Sequence, residues 1–371
     1  MMIRKAISIT IALMGAATAA SAQPVPTYTL KSCLEQGLLN NYSLRITRNN
    51  QQVSSNNATK ANAGYLPTID LSAGYRGTLD DTGTKLRATG ETIRESGVLD
   101  QTLDAGVALS WTIFDGFGIT ATYQRLRELE RQGETNTRIA VEDLIANIAA
   151  EYYNYVQHAI RLKNFRYAVS LSKERLRIVE ERYNIGSFSR LDYQQAKVDF
   201  NADSAQYMKQ QELLHTSRIR LNELMANEDV DQAFTVRDSL ISVSAVLSFG
   251  ELWDATLKAN ASLLKADQNN AMARLDYRKV CARDYPYVRM SGGYGYTYNK
   301  YGATANSSRS NLGLTFGVTV GFRLFDGNRR RERRNAQIAV QNAQLERGSW
   351  SRRCAPTLAT FGRHTRTTCR C

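Results

Sequence analysis

Between Pro67 and Pro286 lie 218 consecutive residues without a proline, and this gap constrains the chain more than any other feature. Proline removes a backbone donor and clashes inside a helix, so long uninterrupted helices require its absence. A compact multidomain chain of 371 residues would normally mark some turns with it. Within the gap, 117–184 holds glycine only at Gly118 and Gly133. Steps of seven there read Val141, Ile148, Tyr155, Leu162, Val169, Leu176 and Tyr183. After a break at Gly186 the same step gives Tyr193, Phe200, Tyr207, Leu214 and Leu221. A sustained seven-residue apolar repeat is the pattern of coiled-coil packing. At 1.5 Å per residue the first helix would run roughly 100 Å. Two such helices around Gly186 form a hairpin that no compact domain needs.

Four other segments alternate with period two. In the first, Ile69, Leu71, Ala73 and Tyr75 share one face, and Asp70, Ser72, Gly74 and Arg76 the other. The second sets Leu103, Ala105, Val107, Leu109, Trp111 and Ile113 against Asp104, Gly106, Ser110 and Thr112. The third sets Val288, Met290, Tyr294 and Tyr296 against Arg289, Ser291, Gly293 and Gly295. The last, Leu312 to Leu324, opposes Gly313, Thr315, Gly317, Thr319 and Arg323. Runs of roughly 10–13 residues, apolar on one face and small or polar on the other, suit strands that cross a bilayer around an aqueous lumen. An ordinary half-buried sheet is the alternative, although soluble strands average about 5–6 residues. Polar, glycine-containing stretches at about 80–100 and 299–310 read as the hairpin loops.

The chain also repeats itself. Shifted by 219, Leu38, Asn41, Ser43-Leu44 and Asn50 fall on Leu257, Asn260, Ser262-Leu263 and Asn269. Tyr65-Leu66-Pro67 meets Asp284-Tyr285-Pro286, and Phe114-Asp115-Gly116 meets Phe325-Asp326-Gly327 at an offset of 211. Each half therefore reads helix, two strands, helix. The expected organisation is a signal peptide at 1–22, a first repeat at 23–228, an incomplete second repeat at 229–348, and an atypical basic, cysteine-containing tail at 349–371.

Arg4-Lys5, the apolar run Ala6–Ala17 and the Ala20-Ser21-Ala22 cleavage signal define the secretory leader. The run is too short to anchor the chain in a bilayer. The formal charge of +13 invites a nucleic-acid reading. Five arginines without an acid in 349–371, together with Arg4 and Lys5, leave +6 for everything else, so no nucleic-acid partner is expected. Three histidines and five cysteines, none in a CxxC, argue against a rich metal or redox site.

At the hairpin turn the chain reads Arg182-Tyr183-Asn184-Ile185-Gly186-Ser187-Phe188-Ser189-Arg190-Leu191-Asp192, with Ala196 a turn on. Gly186 suits the end of one helix and Ser189 the N-cap of the next. These residues, the Leu-Pro before the first strand and the Phe-Asp-Gly after the second resemble the TolC-like outer-membrane efflux protein family. The resemblance runs in order from about Tyr28 to Glu346. It implies an α+β membrane protein: an oligomeric transmembrane β-barrel with four strands per chain, continued by a long antiparallel α-helical coiled-coil barrel. Four strands cannot close a barrel of eight or more, and an open edge in lipid is untenable, so several chains must pool strands. In the family three chains do so, and the helical tips meet a periplasmic adaptor that couples the tunnel to an inner-membrane transporter. By that resemblance Tyr183, Gly186, Ser189, Leu191 and Asp192 form the adaptor-facing tip. Asp192 aligns with a position that helps hold the tunnel mouth closed, or simply supports the first turn of its helix. Asp70, Arg76, Asp104, Thr112, Arg289 and Arg323 are the expected lumen residues.

The implied function is the outer-membrane channel of a tripartite efflux or type I secretion system, as a homotrimer in outer-membrane lipid with a periplasmic helical domain. The alternative is a channel or structural coiled-coil protein acting without a pump. After Asp326-Gly327 only about twenty residues continue the family pattern, and the composition then changes abruptly. The expectation is a tail read from a shifted frame, with about 85–90 residues of the second repeat missing. Heptad faces such as Tyr155 and Leu162 would then lack full partners. A zinc site at Cys354, His364, Cys369 and Cys371 is the competing reading of the tail, weakened by its Cys-x-Cys spacing. Arg329–Arg334 could bind phosphate, but reads better as a solvated helix start at the periplasmic rim. Tyr294, Tyr296, Tyr298 and Tyr301 fit an interfacial aromatic girdle better than base or sugar stacking. Tyr152, Tyr153 and Tyr155 are expected to pack against neighbouring helices, and His158 and His215 to be isolated. No nucleophile–base pair, phosphate loop or carboxylate dyad stands out, so neither an enzyme nor a cofactor is expected.

Overall fold

The computed structural model describes residues 26–85, 87, 90–237, 249–302 and 307–368. The signal peptide read at 1–22 lies outside them, as do the side chains of the proposed zinc cluster. In chain order the elements are β1 (Thr27–Tyr28), α1 (Leu30–Asn40), α2 (Tyr42–Asn57), α3 (Lys60–Ala63), β2 (Thr68–Lys85) and β3 (Thr92–Phe114). There follow α4 (Gly118–Asn184), α5 (Arg190–Met225), β4 (Thr235–Val236), α6 (Phe249–Ala259), α7 (Ala261–Ala282), β5 (Tyr287–Lys300), β6 (Ser308–Gly321) and α8 (Arg329–Thr368). Among the described residues, one compact unit gathers 26–45 and 141–237, and the other 46–140 and 249–368. Each unit draws on both sequence repeats.

The first unit is built on α1, the part of α4 from Val141, α5 and the parallel pair β1–β4. Its core is Cys33, Leu44, Ile148, Tyr152, Tyr155, Val156, Leu221, Met225 and Phe234, all buried. Each large apolar side chain buried this way contributes about 1.5–3 kcal/mol. Burial pushes the Cys33 thiol up to about 11, so it packs as a small apolar group. Asn222, fully buried, donates through Nδ2 to the carbonyls of Val230 (2.9 Å) and Gln232 (3.0 Å), which ties down the segment after α5. That segment delivers Phe234 to Tyr155, with ring centroids 4.7 Å apart. Tyr155 therefore finds a partner within the chain, contrary to the expectation of an exposed heptad face, and Leu162 is half-buried.

The α4–α5 hairpin carries both seams of a coiled coil. Leu162, Val169 and Leu176 on α4, and Phe200, Tyr207 and Leu214 on α5, are half-buried. A second seam is polar: Ser217 donates to Glu151 (2.6 Å), and the Gln210 amide lies 2.9 Å from Nδ1 of His158 and 3.2 Å from its carbonyl. His158 is thus engaged rather than isolated, and so is His215, 2.9 Å from Asp231.

In the second unit the strands form one antiparallel sheet in the order β2-β3-β5-β6. Its strands exceed the sequence-based lengths, since β2 has 18 residues and β3 has 23. The stretch read as a loop at 80–100 is mostly ladder, with Thr84 paired to Ile93 and Lys85 to Thr92. Its polar side chains hid this pairing, and a register shift between Asp80 and Thr82 breaks the alternation that would have revealed it. A second shift between Thr112 and Phe114 makes Ile113 a bulge residue beside β5. At the other end β6 stops at Gly321, so Arg323 lies beyond the strand that was expected to hold it.

The helices of this unit are joined by charge. Arg329 (3.1 Å) and Arg333 (3.4 Å) pair with Asp284, Arg283 pairs with Glu332, and Arg347 reaches Asp267 at 2.5 Å. Two of the five arginines in 329–334 are therefore engaged rather than solvated. The α8 backbone stays helical to Thr368, well past the Glu346 at which the sequence pattern fades. The duplication is visible in the caps. Asn41 Oδ1 accepts from Leu44 N–H at 3.1 Å, and its sequence counterpart Asn260 accepts from Leu263 N–H at 3.0 Å. Asp115 and Asp326 repeat the pattern at the starts of α4 and α8, accepting from Ile119 N–H (2.9 Å) and Asn328 N–H (3.0 Å).

Candidate functional site

Two places gather the residues singled out by sequence, one in each unit. The first is the hairpin tip. Gly186 sits at φ +78° with no atom near its missing side chain, and its N–H bonds the Tyr183 carbonyl (2.9 Å). Ser187 N–H bonds the Arg182 carbonyl at 2.9 Å, completing a Schellman end to α4. Ser189 then opens α5 as a reciprocal cap: its Oγ accepts from Asp192 N–H (3.2 Å), and the Asp192 carboxylate accepts from Ser189 N–H (3.1 Å) and Oγ–H (2.7 Å). Those donors hold the Asp192 carboxyl below the usual carboxylate range. Tyr183 stacks on Tyr193 with centroids 5.4 Å apart and planes 9° from parallel. The Tyr193 hydroxyl lies 3.3 Å from Glu180, whose charge raises its pKa.

These contacts give a rigid turn that presents apolar side chains outward. Ile185 is 78% and Leu191 is 77% exposed. The turn thus brings Tyr183, Gly186, Ser189, Leu191 and Asp192 together, with Asp192 engaged in the cap. Ile185 and Phe188 also belong to it, the latter beneath the Arg182 guanidinium at 5.3 Å. Ile185 was legible only as an apolar residue out of place in a turn.

The second place is the sheet. Register puts every small and polar alternating residue on one face: Asp70 pairs with Ala108, Ser72 with Gly106, Gly74 with Asp104, and Arg76 with Thr102. The face continues as Asp104 opposite Thr297, Gly106 opposite Gly295, Thr112 opposite Arg289, and Arg289 opposite Thr319. A side chain at Gly74 would sit 3.0 Å from the Asp104 carboxylate, so glycine leaves that carboxylate its room. Asp70 and Arg76 lie on the edge strand, Asp104 in the middle of the face, and Thr112 and Arg289 together at its end. Arg323, from the segment after β6, joins those two in one cleft of about 380 Å³. Lys279 and Arg283, at the end of α7, line the same cleft, and nothing in their local sequence signalled it.

The opposite face is apolar and open to its surroundings, with Leu71 82% and Leu314 78% exposed. Among the described residues, both outer strands, β2 and β6, have one unpaired edge. No helix among the described residues is long and apolar enough to cross a membrane.

Comparison with known proteins matches this architecture. The sequence profile of a family described as outer membrane efflux protein matches residues 33–227, more than half of the chain. Outer membrane protein TolC of Vibrio cholerae serotype O1 is 21% identical over 270 residues, which is 72% of this chain and 58% of that protein. The chain thus spans less than two thirds of that relative's length. Among solved structures, the outer-membrane channel OprN superposes with a TM-score of 0.71 at 18% identity, covering 91% of this chain and 75% of that one. A membrane protein from Pseudomonas aeruginosa gives 0.70 at 18% identity, covering 87% and 74%. The Campylobacter jejuni CmeC outer membrane channel gives 0.69 at 16% identity, covering 86% and 67%. At these identities the superpositions establish the fold: long helices with a four-stranded sheet.

Proposed function

The chain belongs to the outer membrane efflux protein family, and from that premise we propose that it is the outer-membrane channel subunit of a tripartite export system. The observation that carries the reading is the sheet. One face is small and polar along all four strands, the other is apolar and exposed, and each outer edge is unpaired among the described residues. In lipid an unpaired edge leaves backbone groups with no partner, so the strands must continue into other copies until the barrel closes. Three copies contribute twelve strands. The polar face, with Asp70, Arg76, Asp104, Thr112 and Arg289, then lines a water-filled conduit, and Arg323 stands at its periplasmic end. The apolar face meets outer-membrane lipid, and the helical hairpins stand in the periplasm. No chemistry on substrate is asked of any residue.

At the turn, Gly186 lets backbone be approached closely, and Ile185 and Leu191 offer apolar contact. This combination suits the tip of a periplasmic adaptor protein that joins the conduit to an inner-membrane transporter. The alternative is a channel or coiled-coil protein that works without a pump, and the tip separates the two. Single cysteines at Gly186 or Asp192 are expected to crosslink to an adaptor in intact cells. Assembly into a membrane-inserted trimer without capture of any adaptor would favour the pump-independent channel. Recovery of the chain as a water-soluble monomer would overturn the channel reading itself.

A further inference from the structure

The cleft at the end of the polar sheet face is unusually cationic. Lys279, Arg283, Arg289 and Arg323 line it against a single carboxylate, Asp115. Asp115 Oδ1 is already occupied by Ile119 N–H at 2.9 Å. Arg283 pairs with Glu332 and Arg323 with Asp326 (3.0 Å), and neither carboxylate lines the cleft. Lys279 and Arg289 have no carboxylate partner among the described residues. The Arg289 guanidinium is instead held 4.7 Å over the Tyr287 ring, which fixes its plane without neutralising it.

Thr112, Tyr285 and Tyr287, each bearing a hydroxyl group, also line the cleft. Gly118 opens α4 at the same place, where the Asp115 carboxylate caps the helix N-terminus. Convergent guanidinium, ammonium and hydroxyl donors suit a tetrahedral oxyanion, which accepts hydrogen bonds on every oxygen. A volume of about 380 Å³ exceeds what one phosphate group needs. Thr112 and Arg289 are register partners on the polar face, opposite the apolar one.

We propose that this cleft is a binding site for soluble phosphate-class oxyanions at the lower end of the conduit. Such a site would raise the local concentration of anionic solutes and bias the conduit towards them. The bias rests on the channel reading above, whereas the binding itself rests only on the cleft.

The test is calorimetric titration of inorganic phosphate into the full chain, folded in zwitterionic detergent, with pyrophosphate as a second probe. Lys279→Gln and Arg289→Gln are each expected to weaken binding about tenfold, since each removes a charge-assisted hydrogen bond. Lys279→Arg is expected to retain most of the affinity, and Arg330→Gln, outside the cleft, to change nothing. Rising salt should weaken the wild-type binding. Absent phosphate binding, or binding insensitive to both glutamine variants, would overturn the proposal. Binding seen only with nanodiscs containing phosphatidylglycerol would overturn it too, by making the site one for lipid headgroups. Planar-bilayer recording on the same sample tests the conduit separately: phosphate binding without current would leave the site and remove the channel, and current without phosphate binding would do the reverse.

Discussion

Replacing Gly116 by alanine tests how the strand-to-helix junction of the Phe-Asp-Gly motif is built. Gly116 has φ +74°, and an added Cβ would sit 2.1 Å from the Ala282 carbonyl oxygen and 2.7 Å from Tyr285 Cβ. Left-handed backbone costs an alanine about 1–2 kcal/mol. The contact with Ala282 falls on backbone, which yields only by moving the end of α7, and overpacking of that kind costs about 1–3 kcal/mol more. The expected destabilisation is therefore about 2–5 kcal/mol. Phe117, also left-handed at φ +73° and in edge contact with Phe114 and Tyr285, transmits the shift to both strands. Its sequence counterpart provides the control. Gly327 has open space around it and no positive φ, so Gly327→Ala is expected to be neutral or slightly stabilising. Trp111, whose Nε1 donates to the Tyr65 carbonyl at 2.9 Å, reports on this end of the sheet by fluorescence during denaturant titration. Equal midpoints for the two variants would refute the reasoning, because it assigns nearly the whole cost to the Ala282 contact and the backbone sign.

Gly37→Ala would place a methyl 2.4 Å from Ile148 Cδ1, so it is expected to lose about 1–3 kcal/mol alone and to be partly rescued by Ile148→Val, which removes that atom; strict additivity in the double-mutant cycle would contradict the packing described. Asn260→Ala is expected to cost about 1 kcal/mol as a lost N-cap, and Asn41→Ala about twice that, because Asn41 also donates to the Leu224 carbonyl at 3.1 Å. Equal losses on denaturation would show that bond to be idle. At the tip, Asp192 has a depressed pKa in the folded chain, so its contribution is complete above the ordinary carboxylate value near 4 and is lost as pH falls through the lower, folded value. The protection factors of the amides at 189–193, taken relative to intrinsic exchange at each pH, should therefore fall on acidification in wild type and be lower and pH-independent in Asp192→Asn. An unchanged pH profile in that variant would remove Asp192 from the cap.

Periodicity made the helices and the sheet faces legible. Heptads from Val141 to Leu221 record a buried or half-buried stripe, and alternation from Ile69 to Val320 records an exposed apolar one. Hairpin length was not legible, because Asp80 to Asp100 pairs through backbone groups while its side chains follow no simple alternation. The end of β6 was missed for the opposite reason: Phe322 and Leu324 continue the apolar pattern after the ladder has stopped at Gly321. Local motifs carried the tip almost completely, since Gly186, Ser189 and Asp192 act on neighbours within a few residues. The cationic cleft joins α7, β5, the start of α4 and the segment after β6. Thr112, Arg289 and Arg323 could be assigned to a face one at a time, but their meeting with Lys279 and Arg283 depends on tertiary structure alone.

The polar pairs of the hairpin have a metrological consequence. A coiled coil held only by apolar heptads fits almost as well after one helix slides by a full repeat, a displacement of about 10 Å along the axis. Sliding by seven residues one way would set Ser217 against Leu144; the other way would set Glu151 against Leu224 and Gln210 against Phe165. Either slide leaves at least one of these polar side chains facing a leucine, so Glu151–Ser217 and Gln210–His158 act as graduation marks that favour the observed setting. They calibrate how far Ile185 and Leu191 stand from the buried core around Tyr152, and whatever docks on the turn meets it at a fixed height.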